Sequence, residues 1–282
     1  TRAYIRSLDL ARPPGEAVVY SCLSALVCAE IVEAVSGRPL DRFAAEHIFK
    51  PLKLTDTRFN PPERLRSRCV PTTRADRGHG KGGFLQGQVH DPLAAMQAGV
   101  SGNAGLFSTA ADLSRFAQMM LNGGELDSVR ILSGQSVRDM TRIQNRGAKN
   151  LKGQLAPRGL LWDVYLPDPG DEGMDEAGAM GRPLPARVLV ENSTGNQRLP
   201  MAPIVDSLYA FGHTGYTGAA IRIYPEQGVY IIALTNRVHP DDSGKVEEFR
   251  RQVWSTVERA LMGVSQRVGC VPDAPAVEGE SK

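Results

Sequence analysis

The sequence predicts a mixed α/β (α+β) fold, an antiparallel sheet flanked by helices, and three patterns carry that prediction. Apolar residues recur at three- and four-residue steps after Tyr20-Ser21 and again after Ser108-Thr109, the period of helices with one apolar face. Residues 219–224 and 229–235 are rich in β-forming side chains and are joined by Pro225-Glu226-Gln227-Gly228, a hairpin signal. Val246, Phe249, Val253, Val257 and Leu261 then line one side of a long helix able to cover that sheet.

In chain order, Pro13-Pro14-Gly15 marks a turn. Leu23, Leu26, Val27, Ile31, Ala34 and Val35 then build a helix that opens at Tyr20-Ser21, stops at Ser36-Gly37 and reads as buried. Pro39 suits the first turn of a second helix, with Leu40, Phe43, Ala44 and Ile48 on one side and Lys50-Pro51 as its end. Between 55 and 105 Pro, Gly and Arg are frequent and periodicity is weak, which predicts long loops over a scaffold. A third helix has Ser108 or Thr109 as N-cap, Asp112 in its first turn, Leu113, Phe116, Ala117 and Met120 as its stripe, and Gly123-Gly124 as its stop. Ser133 caps a fourth helix carrying Val137 and Met140. Residues 157–203 read as an irregular insertion with two short apolar runs, 160–166 and 188–190, as strands. The near-continuous run 229–234 is that of a strand buried on both faces. Three segments are expected: 1–205, mostly helical with loops; 206–264, the last strands and their covering helix; and 265–282, a loose polar tail.

Composition excludes several functions. With 33 basic and 31 acidic side chains the formal net charge is +2, so no long-range field gathers a nucleic-acid backbone. No uninterrupted apolar window reaches the ~18 residues of a membrane-spanning helix. Cys22, Cys28, Cys69 and Cys270 have no metal-ligand spacing, and Cys22 and Cys28 fall on different sides of one helix, so neither a metal site nor a disulfide is expected. Common motifs also fail. Gly99-Val100-Ser101-Gly102-Asn103 ends in Asn where a nucleophile elbow needs Gly. Gly80-Lys81-Gly82 lacks the hydroxyl residue that follows the lysine of a phosphate-binding loop, and Asn192-Ser193-Thr194 is a three-residue match of the kind chance supplies.

Two features survive: Tyr20-Ser21-Cys22 at a helix opening, and Gly212-His213-Thr214-Gly215 leading into the hairpin. They occur in order with Pro14-Gly15, Pro51-Leu52 and Thr55-Asp56-Thr57, Val89-His90-Asp91, Ala104-Gly105-Leu106-Phe107-Ser108-Thr109, and Tyr216-Thr217-Gly218 running to Leu234-Thr235-Asn236-Arg237. In these residues, over roughly 13–261, the chain resembles the penicillin-recognising serine hydrolases: class C β-lactamases, D-alanyl-D-alanine carboxypeptidases and related esterases. The resemblance implies a β-lactamase/transpeptidase-like fold with a mostly helical subdomain, its N-terminal part missing from this chain. It also implies a small-molecule or peptide substrate, no metal or organic cofactor, and a periplasmic or secreted location.

In that family a serine and a lysine three residues later share one helix face, and the serine attacks a carbonyl. Tyr20 matches the tyrosine that relays the proton, whose phenol is implied to be lowered by neighbouring positive charge. His213-Thr214-Gly215 matches the Lys- or His-Thr-Gly triplet on the edge strand across the cleft. His213 is thereby implied in catalysis, Thr214 and Gly215 in holding substrate, and the main-chain N–H of Tyr216 in binding the oxyanion, where one donor is worth ~10²–10³ in turnover. Cys22 stands where the family places Asn or an acidic residue, and a thiol is a poor hydrogen-bonding substitute at a substrate contact. Ser108, Thr109 and Asp112 read as caps, His90 and Asp91 as supporting residues, and Phe84, Trp162 and Tyr165 as packing. Arg237 either attracts a substrate carboxylate or ends its strand in solvent.

No serine in the chain has a lysine three positions later, and only nineteen residues precede Tyr20. The expectation is a sequence that begins inside the catalytic domain; the alternative is a non-catalytic relative that keeps the cleft as a cell-envelope binding module. A sheet lacking its N-terminal strands leaves backbone N–H and C=O groups unpaired along an edge. The isolated chain is therefore expected to be poorly stable or to self-associate on size-exclusion chromatography, and a monomeric peak with one cooperative unfolding transition would overturn that expectation.

Overall fold

The computed structural model describes residues 7–75, 83–145, 156–165 and 208–268, with Ile5, Lys149 and Gly153. Gly80-Lys81-Gly82, the 188–190 run, Asn192-Ser193-Thr194 and the end of the tail lie outside these residues. Thr1–Leu166 and Tyr209–Val246 form one compact unit, and the chain from Glu247 onward belongs to a second.

Helix α1, Cys22–Ser36, begins where the sequence signals it. Ser21 is extended, and its Oγ accepts the Leu23 N–H at 3.1 Å, satisfying one of the amides that a helix start leaves unpaired. Gly37 closes the helix at φ 66°, a left-handed conformation that glycine adopts without strain, and its N–H donates to Glu33 O at 2.9 Å. The expectation of burial is corrected. Only Leu26 is buried, while Leu23, Val27, Ile31 and Val35 are exposed, the last at 84%. Spacing tells which residues share a face; what covers that face depends on neighbours in space. Where α1 does meet the body of the protein the approach is close, since a Cβ on Gly102 would lie 2.1 Å from Ala25 O.

Helix α2, Leu40–Ala44, has Pro39 as its N-cap and runs on as a π-helical turn, Ala45–Phe49. The wider turn was not legible in the periodicity; Ile48 and Phe49 both pack against the core. Strand β1, Arg58–Phe59, and the one-turn helices α3, Glu63–Arg66, and α4, Pro92–Ala95, punctuate the expected loops, and β1 pairs antiparallel with β2, Leu106–Phe107. Helix α5, Ala110–Leu121, is capped by Thr109, whose Oγ1 accepts from Asp112 N at 3.2 Å. Asp112 itself is 5% exposed, and its Oδ2 accepts from Asp56 N at 2.8 Å and Thr57 Oγ1 at 2.7 Å. Ser108 Oγ lies 2.8 Å from the same Thr57 hydroxyl, so the start of α5 is tied to the loop after α2. A short hairpin, β3 Glu125–Leu126 with β4 Val129–Arg130, leads to α6, Gly134–Thr141, capped by Ser133.

The sheet consists of β5 Asp163–Tyr165, β6 Ala210–Thr214, β7 Ala220–Tyr224 and β8 Val229–Ala233, antiparallel in that order. The β7–β8 pair is the expected hairpin. Strand β8 is half-buried throughout rather than buried on both faces, because it is the outer strand among the described residues and α5 packs on one side of it. The core joins Leu52 and Leu54 to Ala117, Met119 and Met120 of α5, Val137 of α6, and Phe211 and Ile223 of the sheet. Tyr209, just before β6, donates to Thr141 O at 2.6 Å and fixes where the strand enters. The last described element is α7, Val246–Val268.

Asp112→Ala removes the acceptor of the part-buried Asp56 amide and leaves the buried Thr57 hydroxyl with Ser108 Oγ alone, and it is expected to cost about 1–3 kcal/mol. A lower urea midpoint at unchanged m-value would show it, with the exposed neighbour Ala111→Ser as a control expected to change stability by less than about 0.5 kcal/mol.

Candidate functional site

Tyr20 precedes the Ser21 cap of α1, and its ring centroid lies 6.0 Å from that of His213, with the planes 36° apart. Two residues far apart in the chain are thus brought together. His213 and Thr214 lie at the end of β6, half-buried, while Ala210, Phe211 and Gly212 anchor the strand in the core. The triplet was expected on an edge strand, and this needs correction: β6 is internal, paired with β5 through Ala210–Gly212 and with β7 through Phe211–Thr214. Only beyond Gly212, where β5 has ended, does one side of β6 open among the described residues. His213 Nδ1 lies 2.9 Å from Thr214 O. A carbonyl only accepts, so Nδ1 is the donor in this contact.

After Thr214 the chain turns tightly. Gly215 N–H donates to Ala219 O at 2.6 Å and Gly218 N–H to Gly215 O at 3.1 Å. Gly218 sits at φ 130°, and a Cβ there would lie 2.4 Å from Thr235 O. Thr235 Oγ1 donates to Gly218 O, and Arg237 N–H to Thr217 O, both at 2.8 Å, so the turn is bound to the end of β8. Tyr216 follows in this turn. Its ring stacks on His90 with centroids 5.9 Å apart, lies under the Arg237 guanidinium at 4.8 Å, and its hydroxyl donates to Asp242. Arg237 Nε and Nη2 donate to the same carboxylate at 2.8 and 2.7 Å, so this arginine is engaged by protein rather than ending its strand in solvent. The Tyr216 hydrogen bond, followed by Arg237 and the charge of His90, holds the Asp242 carboxyl below the ordinary carboxylate range.

Two site residues escaped the sequence reading. The Arg158 guanidinium lies over the Tyr20 ring, 5.3 Å from its centroid, and forms an ion pair with Asp163. Arg158 and Asp163 also form an antiparallel bridge, and Asp163 sits opposite Gly212 in the β5–β6 register. No local motif announces them, because strand pairing rather than spacing places them. Tyr20 is 65% exposed, yet partial burial pushes its phenol above the ordinary value; the charges of Cys22 and Asp163 add to the rise, and Arg158 opposes it without prevailing. In this chain, which holds no Ser-x-x-Lys, Arg158 is the cation that lowers the phenol, and it is offset by burial and by neighbouring negative charge.

Cys22 is the first residue of α1, a half-buried free thiol. Ser101, in the elbow-like motif, is buried and structural: it accepts from Gln97 Nε2 at 2.9 Å and donates to Asn103 Oδ1 at 2.7 Å. Asn103 Nδ2 in turn donates to Asp91 Oδ1 at 3.1 Å, and Asp91 caps α4. Trp162 packs edge-on against Phe211 at 5.2 Å, Phe84 against His239 at 4.5 Å, and Tyr165 under Arg222 at 3.8 Å. Among the described residues no group of three or more His, Cys, Asp or Glu side chains could hold a metal ion, and no helix is long and apolar enough to cross a membrane.

A family model described as Beta-lactamase matches residues 1–253. The chain is 30% identical over 252 residues to a protein of Escherichia coli O157:H7 with the provisional name D-alanyl-D-alanine carboxypeptidase, a match covering 85% of this chain and 49% of that protein. The chain spans about half the length of the curated relatives it matches. Among solved structures, it resembles a penicillin-binding protein homologue from Caulobacter crescentus at TM-score 0.55 and 18% identity, covering 83% of this chain and 57% of that one. It also resembles a beta-lactamase/D-alanine carboxypeptidase from Pseudomonas syringae at TM-score 0.53 and 16% identity, covering 88% and 61%. At these identities the structural likeness establishes the β-lactamase/transpeptidase-like fold.

Tyr216→Phe removes the first cause of the low Asp242 pKa, which is expected to move up toward the ordinary carboxylate value. A carboxyl depressed by folding contributes stability that is present above its unfolded value and lost as pH falls through the folded one. Wild type should therefore lose this contribution under acid conditions below the ordinary carboxylate range, and the variant should lack most of it. A carbon-detected NMR titration of Asp242 in both proteins checks the shift.

Proposed function

Since the chain belongs to the Beta-lactamase family, we propose that it is part of a serine hydrolase that opens an amide or ester through an acyl-enzyme. The observation carrying this reading is the Tyr20–His213 ring pair at 6.0 Å. The substrate is a D-amino-acid peptide, a β-lactam or a small ester, and the protein works outside the cytoplasm, in the periplasm or secreted.

The nucleophilic serine and its lysine come from a segment outside this sequence, which holds no Ser-x-x-Lys. The serine oxygen bonds to the carbonyl carbon as its proton passes to a base, and the tetrahedral oxyanion is held by the main-chain N–H of Tyr216. Tyr20, its ring beside that of His213, is the relay residue that hands a proton on to the departing amine or alkoxide. The lysine receives the serine proton, and the His213 ring lies beside the phenol. Thr214, at the end of β6 past the end of β5, offers the substrate a hydroxyl, Gly215 lets it approach the backbone closely, and Cys22 gives only a weak hydrogen-bonding contact. Water repeats the attack on the ester and frees the serine. The second reading, a non-catalytic cell-envelope binding module, is favoured by one observation, the absence of Ser-x-x-Lys from all 282 residues.

Loss of the serine nucleophile costs on the order of 10⁶ in kcat in a serine protease, and no residue here compensates for it. The chain alone is expected to leave nitrocefin and p-nitrophenyl acetate at the background rate and to take no label from a fluorescent penicillin or a fluorophosphonate. The polypeptide that includes its upstream coding segment is expected to be labelled and to turn over, with kcat falling roughly 10²–10⁴-fold in Tyr20→Phe. Efficient turnover by the chain alone would overturn this assignment, and an unlabelled longer protein would leave the binding-module reading standing.

A further inference from the structure

The surroundings of Tyr20 contain a cation that the Ser-x-x-Lys chemistry does not supply. Arg158 lies with its guanidinium 5.3 Å from the Tyr20 ring centroid. It is not a wandering surface side chain. Its Nη1 donates to Asp163, its main-chain N–H donates to Asn145 Oδ1 at 2.7 Å, and both members of the ion pair are about a quarter exposed or less. Asp163 is fixed in turn by its place opposite Gly212, one residue before His213. Backbone pairing in the sheet therefore sets the position of the guanidinium relative to both rings.

Resting on the reading of Tyr20 as the proton-relay residue, we infer that Arg158, held by Asp163, is a positioning residue for it: lying over the ring, it orients the phenol beside His213 and stabilises the negative charge that forms when the proton leaves. The physical basis is that a cation over an aromatic face is attracted by the π-electrons. The attraction grows when the hydroxyl loses its proton, because the charge of the phenolate spreads into the ring. The groups acting on Tyr20 are Cys22 from α1, His213 from β6, and the Arg158–Asp163 pair at β5. Arg158 is the one that pulls the phenol toward ionisation; Cys22 and Asp163 push the other way. Asp163 thus has two opposed effects: it holds the guanidinium in place and partly cancels its charge.

The test reads ionisation directly, so it does not depend on turnover. Tyr20 is assigned by comparison with Tyr20→Phe in a tyrosine-ring NMR titration of the full chain. Arg158→Gln is expected to move its ionisation to higher pH, and Arg158→Lys, which keeps the charge but cannot stack as a plane, to move it less. Unchanged ionisation in Arg158→Gln would overturn the inference. The unmutated chain gives a second readout that no unfolded variant can spoil: the Arg158 side-chain protons next to the ring are expected to be shifted upfield, with the shift lost in Tyr20→Leu. Random-coil positions for these protons would overturn it as well. In the longer protein, Arg158→Gln is expected to lower kcat roughly two- to fivefold with its alkaline limb displaced, the size expected of an exposed cation–π contact. A titration shift without any hydrolase activity would sink the proposed function and leave the Arg158–Tyr20 coupling intact, whereas activity without a titration shift would do the reverse.

Discussion

The register of β6 is the constraint on which the candidate site depends. Gly212 faces Asp163 on one side and Arg222 on the other, and a Cβ at Gly212 would lie 2.1 Å from Ile221 O, so the strand is packed too closely to shift. Because side chains alternate along a strand, a slip of one residue would turn His213 to the opposite face and take it away from Tyr20. The same slip would take Asp163 out of line with Gly212 and Arg158 off the phenol ring. Burial of Ala210 and Phe211 in the core is what resists it, since those apolar contacts exist in one register only. The half-buried tip of the strand borrows its order from its buried root.

Two carboxylates show how similar chemistry serves different ends at different depths. Asp112 is buried, and its hydrogen bonds to Asp56 N and Thr57 Oγ1 join the start of α5 to the loop after α2. At that depth an unmet donor costs kilocalories, so the network contributes chiefly to stability. Asp242 takes the Tyr216 hydroxyl and the Arg237 guanidinium, but it is well exposed, where ion pairs are screened by solvent. Its effect lies in orientation: Tyr216 is held on three sides, by His90, Arg237 and Asp242, and its side chain fixes the turn whose amides follow Thr214.

At Tyr20 the balance of charge rather than any single residue sets the chemistry. One arginine favours the phenolate, while partial burial, Cys22 and Asp163 disfavour it, and the sum keeps the phenol protonated at neutral pH. A phenol raised in this way is a weaker acid, and Arg158 limits the rise.

The sequence by itself determined what short-range chemistry can determine. The helix opening at Tyr20-Ser21, a cap at Ser108 or Thr109 and the cap Ser133 were legible because a side chain and an amide two or three residues on decide the matter, and Gly37 and the 225–228 turn because one residue's φ or one tight loop does. Tyr20 and the His213-Thr214-Gly215 triplet were found through the order of motifs. Tertiary structure alone decided the rest: the π-helical turn at 45–49, the half-buried state of β8, the exposed stripe of α1, and the inclusion of Arg158, Asp163 and Asp242 at the site. The physical reason is common to all of them. Periodicity and capping act over about one helical turn, whereas burial, strand register and the approach of a charge to a ring depend on partners that the chain brings back from far along its length.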